Sequence, residues 1–599
     1  MKRFICLALI VIYFFVGCVS DRKEESNHVN WSIAHNFYEK ELQRSISYID
    51  TLAQHTSNDS LSRKYFKLLR IAFKRAEPYA SYLNPPVGHR VNGPALPVFK
   101  EDNGKVLAPV GLQKIEESIY EKETLIDQYQ NELRITRGML ENLLKNIKKR
   151  PLNPHRFFIA THQQLLRIIS LGITGFDTPI SQLGLEESIV SLEGLKYVYK
   201  NSIQFLIKER DHELDMQFLV HLNDAIQYLK KNPDFEKFDR FTFIRDYMNA
   251  ITRDWVAIRK KSNIWQSVDT TPFNFEAPTF FEEDAFNVAY FMPSFNKTSS
   301  TAQIELGRKL FYDHNLSSGK KMACVTCHDP KKAFADGLVV NYDNDGKPLK
   351  RNTPTLINAV FQKGFFWDGR ADHLMDQIAS VFTNEKEFDS QVHTFSVDIL
   401  RDSSYVKMFE RSFGSVPKKN TAIIKALSSY IATLNAFNSK FDRNIRGEQA
   451  TFTELEKEGF NLYMGKALCA TCHFIPLTNG TVPPFYLETE KEVIGVPETA
   501  ANIQLDDDLG FYWRFEEELH KGMFKTPTVR NTSVTAPYMH NGVYKNMEEV
   551  VDFYNKGGGG GLGFDLEHQT LPFDKLELTQ HEIKALIAFI DTLTDTVVD

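Results

Sequence analysis

"KMACVTCHDP" occupies residues 321–330, and "CATCH" at 469–473 repeats its core. In both places two cysteines stand three positions apart, with a histidine directly after the second. The chain has 599 residues and only six cysteines, so four of the six fall in this repeated pattern. Cys6 and Cys18 lie in the opening stretch "MKRFICLALIVIYFFVGCVS". There Lys2 and Arg3 precede an apolar run from Phe4 to Val16, too short for a membrane span, which is the form of a secretory signal. The ending "FVGC" fits a lipoprotein signal over residues 1–18, with Cys18 the lipidated residue; ordinary cleavage is the alternative. The expected location is the cell envelope, facing the periplasm, with the membrane reached only through a lipid on Cys18. Cys6 leaves with the signal either way, so no disulfide framework supports the mature fold.

A C-x-x-C pair alone fits a zinc knuckle, a redox disulfide or chance. Zinc ribbons pair a second C-x-x-C some 15–20 residues on, whereas these pairs stand 145 residues apart. A thioredoxin-like site has no need of a histidine after each pair. Covalent c-type haem accounts for all three residues. Positions i, i+3 and i+4 share one helical face. Cys324 and Cys327 then form thioethers to one haem while His328 ligates its iron, and Cys469, Cys472 and His473 do the same for a second. Export agrees, because bacterial c-haem attachment takes place outside the cytoplasm.

The rest of the chain is less specific. A net charge of −6 excludes a strongly basic nucleic-acid binder. Residues 19–30 read as a polar tether. From about 31 to 262 the apolar spacing is helical, as in Leu42, Ile46, Ile49 and Leu52. One long amphipathic helix is expected over 111–150, a loop over the Pro-rich 83–99, and an antiparallel bundle of five to seven helices in all. His162 and His212 have no His/Glu cluster at ligand spacing, which favours surface or satisfied polar positions over metal binding. The expected organisation is mainly α. A signal (1–18) leads into a helical bundle with tether and linker (19–270), then a first haem c domain (271–438) and a second haem c domain (439–599).

The haem half is duplicated. "ELGRKLFY" (305–312) and "KEGFNLYM" (457–464) precede the two motifs, and "TPTLINAVFQKGFFWDG" (353–369) aligns without a gap on "TPTVRNTSVTAPYMHNG" (526–542). Past the shared glycine the copies diverge, with Gln377 opposite Val550 and Glu387 opposite Gly560. An acid–amide pair suits peroxide chemistry, in which a proton moves from the iron-bound oxygen to the outer one. From the residues alone, Glu387 reads equally well as a solvated loop acid.

The run "FYDHNLSSGKKMACVTCHDP", "RNTPTLINA", "FFWDGRADHLMDQ", "FKTPTVRNTSVTAPYMHNG" and "VVDFYNKGG" resembles the bacterial dihaem cytochrome c peroxidase family, which includes the MauG-type enzymes. The resemblance covers about 280–595. It implies two cytochrome c-like domains facing one another, the first haem reacting with hydrogen peroxide and the second supplying electrons. Carried over, Gln377 and Glu387 match the distal amide and acid, and Trp367 the relay between haems. Asn352, Thr535 and Pro537 match the ligands of an interhaem calcium ion, whose hard oxygen preference they suit. A small electron donor of cytochrome c or cupredoxin type, and a homodimer, follow from the same resemblance.

Two departures stand out. Many family peroxidases carry a histidine before "RN.PT" that closes the peroxidatic iron; here Asn344 stands near that place, and no histidine occurs from 329 to 372. An open first haem is expected. Where typical peroxidases place a methionine on the second iron, this chain matches Tyr554, as in MauG-type enzymes, with Met539 or Met547 the alternatives. The leading expectation is a peroxidase converting hydrogen peroxide to water. The alternatives are a MauG-like enzyme using a high-valent haem state to oxidise a partner protein or organic substrate, and a dihaem electron-transfer protein without catalysis. The N-terminal bundle faintly resembles imelysin-like envelope domains, which implies a docking or positioning role.

Overall fold

Apolar spacing builds the first half of the chain as helices, and two buried features decide how each half packs. The computed structural model describes residues 29–57, 60–94, 98–100, 105–107, 109–121, 125–265, 271–566, 568–572 and 574–595. The signal segment and Cys18 lie outside the described residues. Among the described residues no helix is long and apolar enough to cross a membrane. The chain is mainly α, and it divides into two compact units, Met1–Val268 with Phe275–Phe280, and Asp269–Asn274 with Phe281–Asp599.

In the first unit, Ser32–Leu52 packs on Ser60–Leu83 and buries Leu42, Ile49 and Leu52. Further long helices run over Ile126–Lys149, Pro154–Arg167, Gly184–Lys200, His212–Lys231 and Asn249–Lys261. Two local expectations are corrected. The Pro-rich stretch is not all loop. Pro85–Asn92 is helical, since its prolines fall in the first turn, where a missing N–H costs nothing. The single helix over 111–150 is two, Leu112–Tyr120 and Ile126–Lys149, so amphipathic spacing carried across a break that period alone does not reveal. His212 is exposed at the start of its helix. His162 is buried, its ring 4.8 Å from Phe275 and 4.6 Å from Phe280, and burial holds its pKa down near 3. It is a neutral core histidine. Among the described residues no group of three or more His, Cys, Asp or Glu is placed to hold a metal ion.

A charged network runs through the core of this unit. Arg70 grips Glu187 at 2.5 and 2.7 Å, and Lys74 reaches Asp177 at 2.6 Å and Glu77 at 3.1 Å, all at most 2% exposed. Arg167 and Gln164 also reach Glu77. Such pairs add little net stability when intact, yet losing one partner strands a buried charge. Glu187→Ala is therefore expected to destabilise the first unit by about 3–5 kcal/mol, seen as an earlier urea transition by circular dichroism. An unmoved transition would show that the network is solvated.

The second unit repeats one haem-domain plan. Thr301–Phe311 crosses Thr421–Ile431, and Glu454–Tyr463 crosses Gln580–Asp591. Both crossings are made at glycine. A Cβ on Gly307 would run into the carbonyl oxygen of Ala426, and one on Gly459 into that of Ala585. Gly307→Ala should force the first pair of helices apart, costing about 1–3 kcal/mol or more, measurable as a lower melting temperature of the holoprotein. Equal melting temperatures would mean the crossing tolerates a methyl group.

The ungapped alignment holds in three dimensions at a constant offset of 173 residues. Asn358 and Asn531 are both left-handed at φ 60° and 62°, as are Phe366 and Met539, and Gly369 and Gly542. Short 3-10 turns match at Ala359–Phe361 and Thr532–Val534. Bridges match at Phe365–Ala371 and Tyr538–Tyr544. The register extends into the next helices, Leu374–Thr383 and Met547–Asn555. Beyond them the copies part, the first continuing into the loop that carries Glu387 and the second into the glycine helix Gly558–Gly561.

Candidate active site: two haem-binding motifs

The first motif closes a single helical turn, Cys324–Cys327; the second is a 3-10 turn, Cys469–Thr471. All four cysteines are free of disulfides and half-buried. Burial pushes the thiols of Cys324, Cys327 and Cys469 up to about 12, and raises that of Cys472 well above the ordinary thiol value. Thiols in an apolar setting fit covalent attachment to a hydrophobic macrocycle. Cys324 and Cys327 pack against the hydrophobic core of this domain, a cluster that includes Phe311, Phe334, Phe365, Ile378, Phe382 and Phe388.

Each histidine is held by its far nitrogen. His328 Nδ1 lies 3.0 Å from the Phe334 carbonyl oxygen, and His473 Nδ1 lies 2.9 Å from that of Pro527. A proton on Nδ1 donates to that carbonyl and leaves Nε2 as the iron ligand. Burial lowers both imidazoles' pKa, His473 to about 4, which keeps them in the neutral, ligating form. Tyr463 donates from its hydroxyl to the His473 carbonyl at 2.7 Å and so ties the second motif to the helix before it. The donor set fits haem c in both copies.

Glu387 belongs to the first of these sites. Its carboxylate is near enough to Cys324 and Cys327 to add to the rise that burial causes in both thiols. Burial raises its own pKa above the ordinary value, and a hydrogen bond from Asn384 Nδ2 to Oε2, 2.7 Å, with the Arg370 cation, works the other way. Gln377 lies on Leu374–Thr383, the helix leading to that loop. Asn344, which stands where a closing histidine was expected, is turned to a different task. Its side-chain amide donates to the carbonyls of Glu385 at 2.7 Å and Glu387 at 3.2 Å, and its N–H to that of Lys386 at 2.9 Å. Three bonds from one residue fix the acid's loop, a role sequence reasoning did not assign.

Tyr554 is set in the second site. It is aligned with Val381, one helical turn after Gln377, so Gln377 and Tyr554 lie one turn apart on the matching helices of the two copies. Burial, then Cys472, Cys469 and Glu492, raise its phenol pKa, which puts the ring beside the second cysteine pair. Glu492 was also missed. It contacts Cys472 Sγ at 3.7 Å, and burial raises its pKa, as it does that of Glu490, which Glu492 repels. The alternating acids of "ETEKEV" on the strand Lys491–Val493 were the available signal.

Trp367 joins the copies. Its indole N–H donates to the Asn352 carbonyl at 2.8 Å, and its own carbonyl accepts from the N–H of Lys525 in the second copy at 2.7 Å. Asn352 is buried. Its N–H donates to the His540 carbonyl at 2.7 Å, and its side-chain amide to that of Leu338 at 2.9 Å, leaving Oδ1 for another partner. These bonds bring Asn352 to the segment that holds Thr535 and Pro537.

Fold and site together define a dihaem c-type cytochrome whose two haem-binding motifs have different residues around them, Glu387 near the first and Tyr554 near the second. Comparison with known proteins identifies the family. Residues 301–450 match the family described as di-haem cytochrome c peroxidase. A cytochrome-c peroxidase, IdrP2, of Denitromonas iodatirespirans is 31% identical over 50% of this chain and 83% of its own length. The methylamine utilization protein MauG of Paracoccus denitrificans is 33% identical over 50% of this chain and 90% of its own. A solved MauG-like protein associated with microbial copper homeostasis is 27% identical, covering 51% of this chain and 92% of that one at a TM-score of 0.44. This chain belongs to the di-haem cytochrome c peroxidase family, of which MauG is a member, and carries a helical unit before the family's two haem domains.

Proposed function

We propose that the protein is a dihaem peroxidase of the bacterial cell envelope, anchored through Cys18, reducing hydrogen peroxide to water with electrons from a small carrier protein. The asymmetry between the copies carries this reading. Glu387 is held beside Cys324 and Cys327, and Tyr554 beside Cys469 and Cys472. Haem held by Cys324, Cys327 and His328 would supply the redox-active iron for peroxide reduction. Glu387 accepts the proton from the inner peroxide oxygen and returns it to the outer one, so that water leaves. The Gln377 amide orients the peroxide. Trp367, bonded to Asn352 in its own copy and to Lys525 in the other, couples the two sites. Over a turnover one peroxide, two electrons and two protons give two waters. His473 and Tyr554 hold the second iron, and Asn352, Thr535 and Pro537 offer oxygens to a calcium ion at the junction.

One observation favours a second reading. A tyrosine beside the second cysteine pair is the hard, anionic type of ligand that stabilises oxidised iron, which suits a MauG-like enzyme that passes its oxidising equivalents to a partner protein or organic substrate.

The test is stopped-flow mixing of the air-oxidised protein with one equivalent of peroxide. With no closing histidine and Asn344 engaged on the acid loop, a fast change in haem absorbance is expected without prior reduction. Reaction only after one-electron reduction would refute the open first site. No reaction in either state would leave an electron-transfer protein.

A further inference from the structure

The loop 511–522 of the second copy rises from the strand that touches Trp367. Its base is closed by hydrogen bonds from the Phe511 N–H to the Met523 carbonyl, 2.9 Å, and from the Gly522 N–H to the Leu509 carbonyl, 3.1 Å. Inside, Phe511 packs edge-on against Phe515 at 5.7 Å and His520 at 5.1 Å, giving the loop a small core of its own. Trp513 takes no part in that core. It is 66% exposed, with Tyr512 against it at 5.3 Å. A loop with a core of Phe511, Phe515 and His520 does not need to leave a tryptophan in water for its own stability.

The charge around that ring is concentrated. Residues 506–522 hold six acidic side chains against two basic ones, in a chain whose whole net charge is −6. Asp506 and Asp508 face inward, to His540 and Arg351. Asp507, Glu516 and Glu518 are exposed beside Trp513. An aromatic anchor with a charged rim is the composition of a protein-binding surface. The sign requires a partner with a cationic face. The backbone connection is short. Phe511 bonds Met523, and two residues on along the same strand Lys525 bonds Trp367.

We propose that the 511–522 loop is the docking surface for the electron donor, a small carrier protein whose exposed redox centre is ringed by lysine or arginine. Trp513 is the apolar anchor, and Asp507, Glu516 and Glu518 attract the carrier and orient it. Each docked carrier gives up one electron, and two dockings with two protons complete the reduction of one peroxide to two waters. The proposal rests on the peroxidase reading.

The experiment uses the dihaem holoprotein and a small basic cytochrome c as probe. Calorimetry reads binding at low ionic strength, and peroxide turnover is followed with reduced cytochrome and, separately, with the small-molecule donor ABTS. Trp513→Ala and the pair Glu516→Lys with Glu518→Lys should each weaken binding and raise the KM for cytochrome by about tenfold. ABTS turnover should stay unchanged. Added salt should weaken wild-type binding more than that of the charge variant. Unchanged cytochrome binding and KM in both variants would overturn the proposal, and so would equal wild-type binding of an acidic carrier. Loss of ABTS turnover in the wild type would count against the peroxidase reading, while calorimetry still decides the docking surface.

Discussion

Glu387→Gln should slow the reaction of the oxidised protein with peroxide by roughly 100- to 10,000-fold, the range a positioned acid–base group supplies. Glutamine keeps the shape and the capacity to hydrogen-bond with Asn384 but cannot take a proton. Both covalent haem attachments and the resting absorbance should be preserved, since neither cysteine pair nor either histidine is altered. The wild-type rate also has a pH dependence whose sign is fixed. Glu387 must be ionised to accept the peroxide proton, and burial raises its pKa above the ordinary carboxylate value. The rate is therefore full at higher pH and falls as pH drops through that raised pKa. Asn384→Ala removes a hydrogen bond that favours the ionised form, so it should move the acid limb to higher pH. A Glu387→Gln protein that reacts at the wild-type rate would reduce Glu387 to a solvated loop acid.

Tyr554→Met has the second large effect, read as a potential. Replacing a phenolate oxygen by a thioether on the second iron favours the reduced state, so that haem's potential should rise by on the order of 0.1 V or more, within the roughly 0.8 V that axial ligands span. Spectroelectrochemistry resolves the two haems, and the first should hold its potential. The MauG-like reading adds that this variant should lose more of any partner-oxidising activity than of peroxide reduction. An unmoved second potential would make Tyr554 a packed aromatic and return the ligand question to Met539 and Met547.

The copies show which information is local. Two C-x-x-C-H motifs, a 17-residue ungapped match and a glycine before each motif are chemical requirements written at fixed spacing, so the duplication was legible residue by residue. The left-handed Asn358 and Asn531 fall where that alignment put them. The helix break at 121–125 and the helix at Pro85–Asn92 were not legible, because periodicity reports a face and not a boundary. For His162 the sequence left a surface and a satisfied interior position open, and only the fold buries the ring. A polar ring in a helical run reads alike in water or between two phenylalanines.

The sequence by itself determined the haem chemistry and the two-copy plan, because covalent attachment and iron ligation need particular residues a few positions apart. Only the tertiary structure decided how the groups are held. Asn344 anchors the Glu387 loop from 43 residues away, Lys525 meets Trp367 across the copies, and Glu492 joins Tyr554 at the second cysteine pair. Those contacts come from backbone carbonyls and burial, which any of several residue types can satisfy, so chain folding fixes them and no local pattern announces them.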